Sequence, residues 1–165
     1  MFEVLSYVSK DGKWFRENYF KEQFFPFDSE KSEVYIKKII NNDSRMYGFV
    51  NVLFNGSSIL GYNEYGSLEN LWSMYYGLVV DYIINGESAA EFPDYELEIQ
   101  ILPVDNSSVL LKIGTIKEYI LPKIEFLQAL INGAISFYST LLLFTNDSDT
   151  EIFINILRMK LDEIQ

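Results

Sequence analysis

Asp94, Glu96 and Glu98 occupy alternate positions of the run Asp94-Tyr95-Glu96-Leu97-Glu98-Ile99-Gln100-Ile101. Read as a strand, this run turns Tyr95, Leu97, Ile99 and Ile101 to one side and the three carboxylates with Gln100 to the other. Neighbouring carboxylates on such a strand stand about 6.7 Å apart, from its rise per residue. Like charges in a row repel each other and offer little to folding. They suit one of two purposes: a solvated face that discourages edge pairing, or a docking surface for a partner of opposite charge. Glu87 and Glu91 precede the run in a loop, and Asp81 lies late in the helical segment before it. Carboxylates also bind Ca²⁺ or Mg²⁺, but no EF-hand spacing is present, and residues two apart on a strand converge poorly on one ion. No metal ligand is assigned.

Other chemistries lack their residues. The chain has no histidine and no cysteine. That removes the commonest general base and zinc ligand, the Ser-His and Cys-His nucleophile arrangements, and all thiol and disulfide chemistry. Phosphate-cradling glycine loops of the GxGxxG or GxxxxGK[ST] type are absent. Ser9-Lys10 and Lys31-Ser32 are adjacent only in sequence, which is no sign of Ser-Lys catalysis. Any two acids could form a glycosidase pair, but nothing singles one out. The expectation is a protein without catalytic residues or cofactor.

The charge distribution sharpens the acidic reading. Residues 46–111 hold nine acids (Glu64, Glu69, Asp81, Glu87, Glu91, Asp94, Glu96, Glu98 and Asp105) and no lysine or arginine, so −9 of the net −11 falls there. The abundance of Asn, Ile, Phe, Tyr and Lys suggests an AT-rich coding sequence of bacterial or phage kind, a background in which lysine should be common. An acidic surface of this strength disfavours nucleic acid and anionic lipid as partners, because phosphates attract Lys and Arg. Tyr62 and Tyr65, flanking Asn63-Glu64, suit an interface, being apolar in the ring and polar at the hydroxyl; the alternative is that their rings fold back on the core.

These groups need elements to hold them. At 165 residues with 48% hydrophobic content, the chain is expected to form one domain, 1–165, with a sizeable core. Strands are expected at Phe2–Val8, Val34–Ile40, Met46–Phe54, Ser57–Tyr62, Tyr95–Ile101 and Val109–Ile113. Asn55-Gly56 is a hairpin signal, and Lys10–Lys13, Asn41–Ser44 and Pro103–Ser108 read as turns. Residues 14–28, rich in aromatics, fit helix or strand. Ser67 should cap a helix whose apolar residues Leu68, Leu71, Trp72, Tyr75, Leu78, Val79, Tyr82 and Ile83 recur at three and four, ending at Asn85-Gly86, with Gly77 allowing close approach of a neighbour. A second helix should start at Pro122, carry the stripe from Ile124 to Leu142 and cover the inner face of the sheet. Its apolar run is long enough to span a bilayer, but polar residues interrupt it. A last helix, capped by Ser148 or Asp149, should present Ile152, Ile156 and Met159 on one side and Phe153, Leu157, Lys160 and Ile164 beside them. The fold class expected is α+β: an antiparallel sheet with one face packed by two or three helices. The N-terminus lacks the pattern of a secretory signal, so a soluble, cytoplasmic protein with no membrane contact is expected.

The runs Phe92-Pro-Asp-Tyr-Glu-Leu-Glu-Ile99 and Leu121-Pro-Lys-Ile-Glu-Phe-Leu-Gln-Ala-Leu-Ile-Asn-Gly-Ala-Ile-Ser-Phe-Tyr138 resemble stretches of small acidic bacterial toxin-immunity proteins. The resemblance implies a cytosolic inhibitor that neutralises a toxin by binding it. Joined to the acidic span, it yields the expected function: a non-enzymatic inhibitor docking a basic protein partner through Glu87, Glu91, Asp94, Glu96 and Glu98, with Tyr62 and Tyr65 as anchors. Three other readings remain open at this point. They are a nucleic-acid-mimicking inhibitor of phage type, a carboxylate-based metal-dependent enzyme, and an oligomerisation domain joined through residues 14–27.

Overall fold

The computed structural model describes residues 1–10 and 23–164. Most of the aromatic segment 14–28, and the turn beyond Lys10, lie outside them. In chain order the elements are β1 (Phe2–Ser9), β2 (Phe24–Pro26), α1 (Glu30–Asn41), β3 (Tyr47–Phe54), β4 (Ser57–Leu60), β5 (Tyr65–Ser67), α2 (Leu68–Asn85), β6 (Ser88–Glu91), β7 (Glu98–Pro103), β8 (Ser108–Ile113), β9 (Lys117–Pro122), α3 (Lys123–Thr145) and α4 (Ser148–Glu163). The fold is α+β as expected, with two antiparallel sheets in place of one. The first runs β2-β1-β3-β4, with β5 on the remaining length of β3; the second is the meander β6-β7-β8-β9.

The first sheet follows from local chemistry. Asn55 (φ 50°) and Gly56 (φ 80°) both take the left-handed region that a two-residue hairpin turn needs, joining β3 to β4. Alternation on β1 turns Val4 and Val8 inward, and Ser6 accepts a 3.0 Å hydrogen bond from the Trp72 indole N–H of α2. α2 is the central element: it packs on β3 and β5 of the first sheet, on β6 and β7 of the second, and on α3. Its Leu68, Leu71, Trp72, Tyr75, Leu78 and Val79 are buried in one hydrophobic cluster with residues of both sheets. α3 packs chiefly on β1, α2 and α4, and only lightly on β9. By length and composition it could cross a membrane, but Phe126, Leu127, Leu130, Ile131, Ala134, Phe137 and Leu141 are buried in the protein core.

Several expectations are corrected. Val34–Ile40 is helix, not strand. Ser29 caps α1, its Oγ accepting from the Ser32 N–H at 3.3 Å, and Glu33 pairs with Lys37 one turn on. The buried positions Ser32, Ile36 and Ile39 follow helical spacing, which outweighs the β-branched content. Pro122 is the N-cap of α3 instead of its first residue. Asp147 caps α4 in place of Ser148 or Asp149, accepting from the N–H groups of Asp149 and Thr150. α4 buries Ile154 and Leu157, with Ile164 buried just beyond its end, and presents Ile152, Ile156 and Met159 together on its exposed side. Among the described residues a Cβ on Gly77 would meet nothing within 4 Å, so none of them makes the expected close approach there.

Candidate functional site

α2 ends where Gly86 takes the left-handed conformation (φ 77°) and donates its N–H to the Tyr82 carbonyl at 2.8 Å. The chain then passes through exposed Glu87 into β6. β6 and β7 pair antiparallel, with Ser88 opposite Ile101, Ala89 opposite Gln100, Ala90 opposite Ile99 and Glu91 opposite Glu98. Alternation sends Ile99 and Ile101 into the core and leaves Ala89, Glu91, Glu98 and Gln100 on the outer face. Glu91 and Glu98 are therefore directly opposed carboxylates, their Cβ atoms about 5 Å apart by cross-strand geometry. Both are exposed, and among the described residues neither forms an ion pair.

The strand expected from Tyr95 begins only at Glu98. Residues 92–97 form a loop, closed by 2.9 Å hydrogen bonds from the Phe92 N–H to the Leu97 carbonyl and from the Leu97 N–H to the Tyr95 carbonyl. Asp94, Glu96 and Glu98 thus do not share a strand face. Glu96 is exposed on the loop. Asp94 turns back to the start of α2, where its Oδ2 accepts the Ser67 N–H at 3.0 Å. Ser67 makes no side-chain cap bond of its own, so Asp94 places negative charge at the positive end of the α2 dipole. This is a tertiary bond that alternation cannot foresee.

The two loops of the expected site do meet. Tyr65 stacks on Tyr95 with centroids 5.6 Å apart, Tyr95 stacks on Phe92 at 5.4 Å, and the Tyr95 hydroxyl donates to the Asn63 carbonyl at 3.3 Å. Burial pushes the Tyr95 phenol well above its ordinary pKa, aided by the charges of Glu64, Tyr65 and Asp94. Tyr62 goes elsewhere. It is 46% exposed and lines a depression of about 340 Å³ with Tyr7, Phe24, Phe49, Asn51 and Ser58 on the first sheet.

Reading the sequence missed the buried centre beside these loops. Glu64 is 2% exposed; its Oε1 lies 2.5 Å from Lys117 Nζ, and its Oε2 accepts the Gly61 N–H at 3.0 Å. Lys117 belongs to β9, so one of the nine central acids is neutralised from outside the acidic span. A lysine 53 residues away leaves no local signal. Among the described residues the buried Tyr75 hydroxyl has no hydrogen-bond partner, and burial first, then Glu64 and Tyr95, holds its pKa high. The cluster bridges the two sheets.

Asp81 and Glu87 come together at the outer margin of β6. With Asn85, Gln100 and Leu102 they line an open depression of about 460 Å³. Among the described residues, no three of His, Cys, Asp and Glu gather as ligands for a metal ion. No known protein family, curated protein or solved structure matches this chain.

Proposed function

We propose that this chain is a non-enzymatic inhibitor that neutralises a basic protein, in the manner of a bacterial toxin-immunity protein acting in the cytoplasm. The observation that carries the reading is the opposed pair Glu91–Glu98, with Glu87 and Glu96 exposed nearby in sequence and no ion pair to any of the four among the described residues. Directly opposed like charges destabilise a sheet. A partner bringing Lys or Arg would turn that cost into binding energy and faster encounter. A nucleic-acid mimic needs carboxylates spread at phosphate-like intervals, whereas these two face each other across one strand pair. A metal-dependent carboxylate enzyme calls for several acids around one ion, whereas the depression beside β6 gathers two, Asp81 and Glu87.

The test is co-expression with the products of the neighbouring reading frames. The reading expects a basic product that is toxic alone, is tolerated in the presence of this chain, and co-purifies with it as a stoichiometric complex. Toxicity unchanged by co-expression, with no complex formed by any neighbour, would overturn it.

A further inference from the structure

Among the described residues nothing packs over the outer face of the second sheet, which divides into rows. Leu102 pairs with Leu110 and Leu110 with Ile120, so an apolar row crosses β7, β8 and β9. Ile120 is 66% exposed, and Val104, just beyond β7, is 48% exposed. The next row is Ala89, Gln100, Lys112 and Glu118, and the third begins with Glu91 and Glu98. Lys112 of the second row is held by Glu118 at 3.3 Å. The depression holding Asp81 and Glu87 opens onto the same face, because Gln100 and Leu102 line both.

We infer that this face, and not the 92–97 loop with its tyrosines, docks the basic partner: apolar side chains cover Leu102, Leu110 and Ile120, and a lysine or arginine enters the depression between Asp81 and Glu87. The inference rests on the inhibitor reading and specifies its surface. Charge complementarity selects the occupant. A second copy of the chain would bring a further −11 toward these carboxylates. A basic segment with alternating apolar residues would instead place one edge on the apolar row and its cations on Glu91, Glu98 and the depression. The exposed stripe Ile152, Ile156 and Met159 on α4 offers no such selection, since Arg158 and Lys160 lie among Glu151, Asp162 and Glu163.

The experiment uses the full isotope-labelled chain and two synthetic ten-residue peptides, one alternating arginine with leucine and one alternating arginine with serine. Amide shift changes on titration should centre on residues 98–112 and 118–120, with the leucine peptide binding at least ten-fold tighter. Ile120→Ser should remove most of that preference. Asp81→Asn with Glu87→Gln should weaken both peptides about five-fold. Shift changes centred on the 92–97 loop or on Tyr62, or equal affinity for the two peptides, would overturn the inference. The same variants are then measured against the neighbouring toxin. If the toxin binds and they leave its affinity unchanged, the face is wrong while the inhibitor reading stands. If no neighbour binds but the peptides map to this face, the docking chemistry is supported and the inhibitor role fails.

Discussion

Glu98→Lys should stabilise the isolated protein. Glu98 stands opposite Glu91 with no cation in ion-pair contact with either among the described residues. At roughly 6 Å between charge centres, 332/(εr) with ε about 80 gives a repulsion of about 0.7 kcal/mol without salt. A Debye length of about 8 Å at physiological ionic strength roughly halves it. Reversing one charge converts repulsion to attraction of similar size. The gain is therefore about 1.4 kcal/mol at low salt, above the roughly 0.2–1 kcal/mol typical of cross-strand pairs, and about 0.7 kcal/mol at physiological salt, within it. For a chain of this length each kcal/mol moves Tm by roughly 2–4 °C. Calorimetric melts should show a rise of roughly 3–6 °C in dilute buffer that nearly vanishes in about 1 M salt, where the screening length falls to about 3 Å. Glu96→Lys, in the loop without a cross-strand partner, should gain less. A lowered Tm for Glu98→Lys, or a gain indifferent to salt, would refute the opposed-carboxylate account.

Two helical glycines should respond in opposite directions. Gly77→Ala meets open space and should stabilise by about 0.5–1 kcal/mol through helix propensity, read from denaturant midpoints. Gly133→Ala would bring a Cβ to 2.5 Å from Trp72 Cη2 and 2.6 Å from Val4 Cγ1, and should destabilise by about 1–3 kcal/mol by the same measurement. Lys117→Met strands the buried Glu64 carboxylate. Because Lys117 is one-third exposed, the expected loss is about 2 kcal/mol, below the full range for a buried pair, and Glu64→Gln with Lys117→Met should recover part of it. Burial, with the charge of Glu69, pushes the Tyr138 phenol up to about 12 from its ordinary 10. The folded state thus holds that proton longer than the unfolded chain does, and stability falls as pH rises from 10 through 12, by at most about 3 kcal/mol. Tyr138→Phe should flatten this part of the alkaline unfolding curve by that amount.

Elements whose pattern is written in local residues were legible: β1, the Asn55-Gly56 hairpin, α2 with its Gly86 stop, β8 and α3 all lie close to where alternation, turn chemistry and helical spacing put them. α1 was misread because Val34, Ile36, Ile39 and Ile40 look like strand residues, while the deciding features, the Ser29 cap and the Glu33–Lys37 pair, act through helical spacing. β9 went unassigned although Lys117, Tyr119 and Leu121 alternate with Glu118 and Ile120; with Ile120 exposed, its outer side mixes apolar and charged residues. The acidic run was legible as charge but not as geometry. Asp94 was drawn to the start of α2 and Glu64 into a pair with Lys117, both through tertiary contacts. The opposition of Glu91 to Glu98 required the register of β6 on β7.

The most direct test of the proposed function is the association rate of the chain with the basic toxin that the proposal expects from a neighbouring reading frame, measured by stopped flow across a salt series for the wild type and for Glu91→Lys with Glu98→Lys. Electrostatic steering predicts a rate that falls steeply with salt in the wild type, and at least a ten-fold slower rate with a flattened salt dependence in the double variant at low ionic strength. Identical rates and salt slopes for the two proteins would contradict the claim that these carboxylates exist to meet a basic partner.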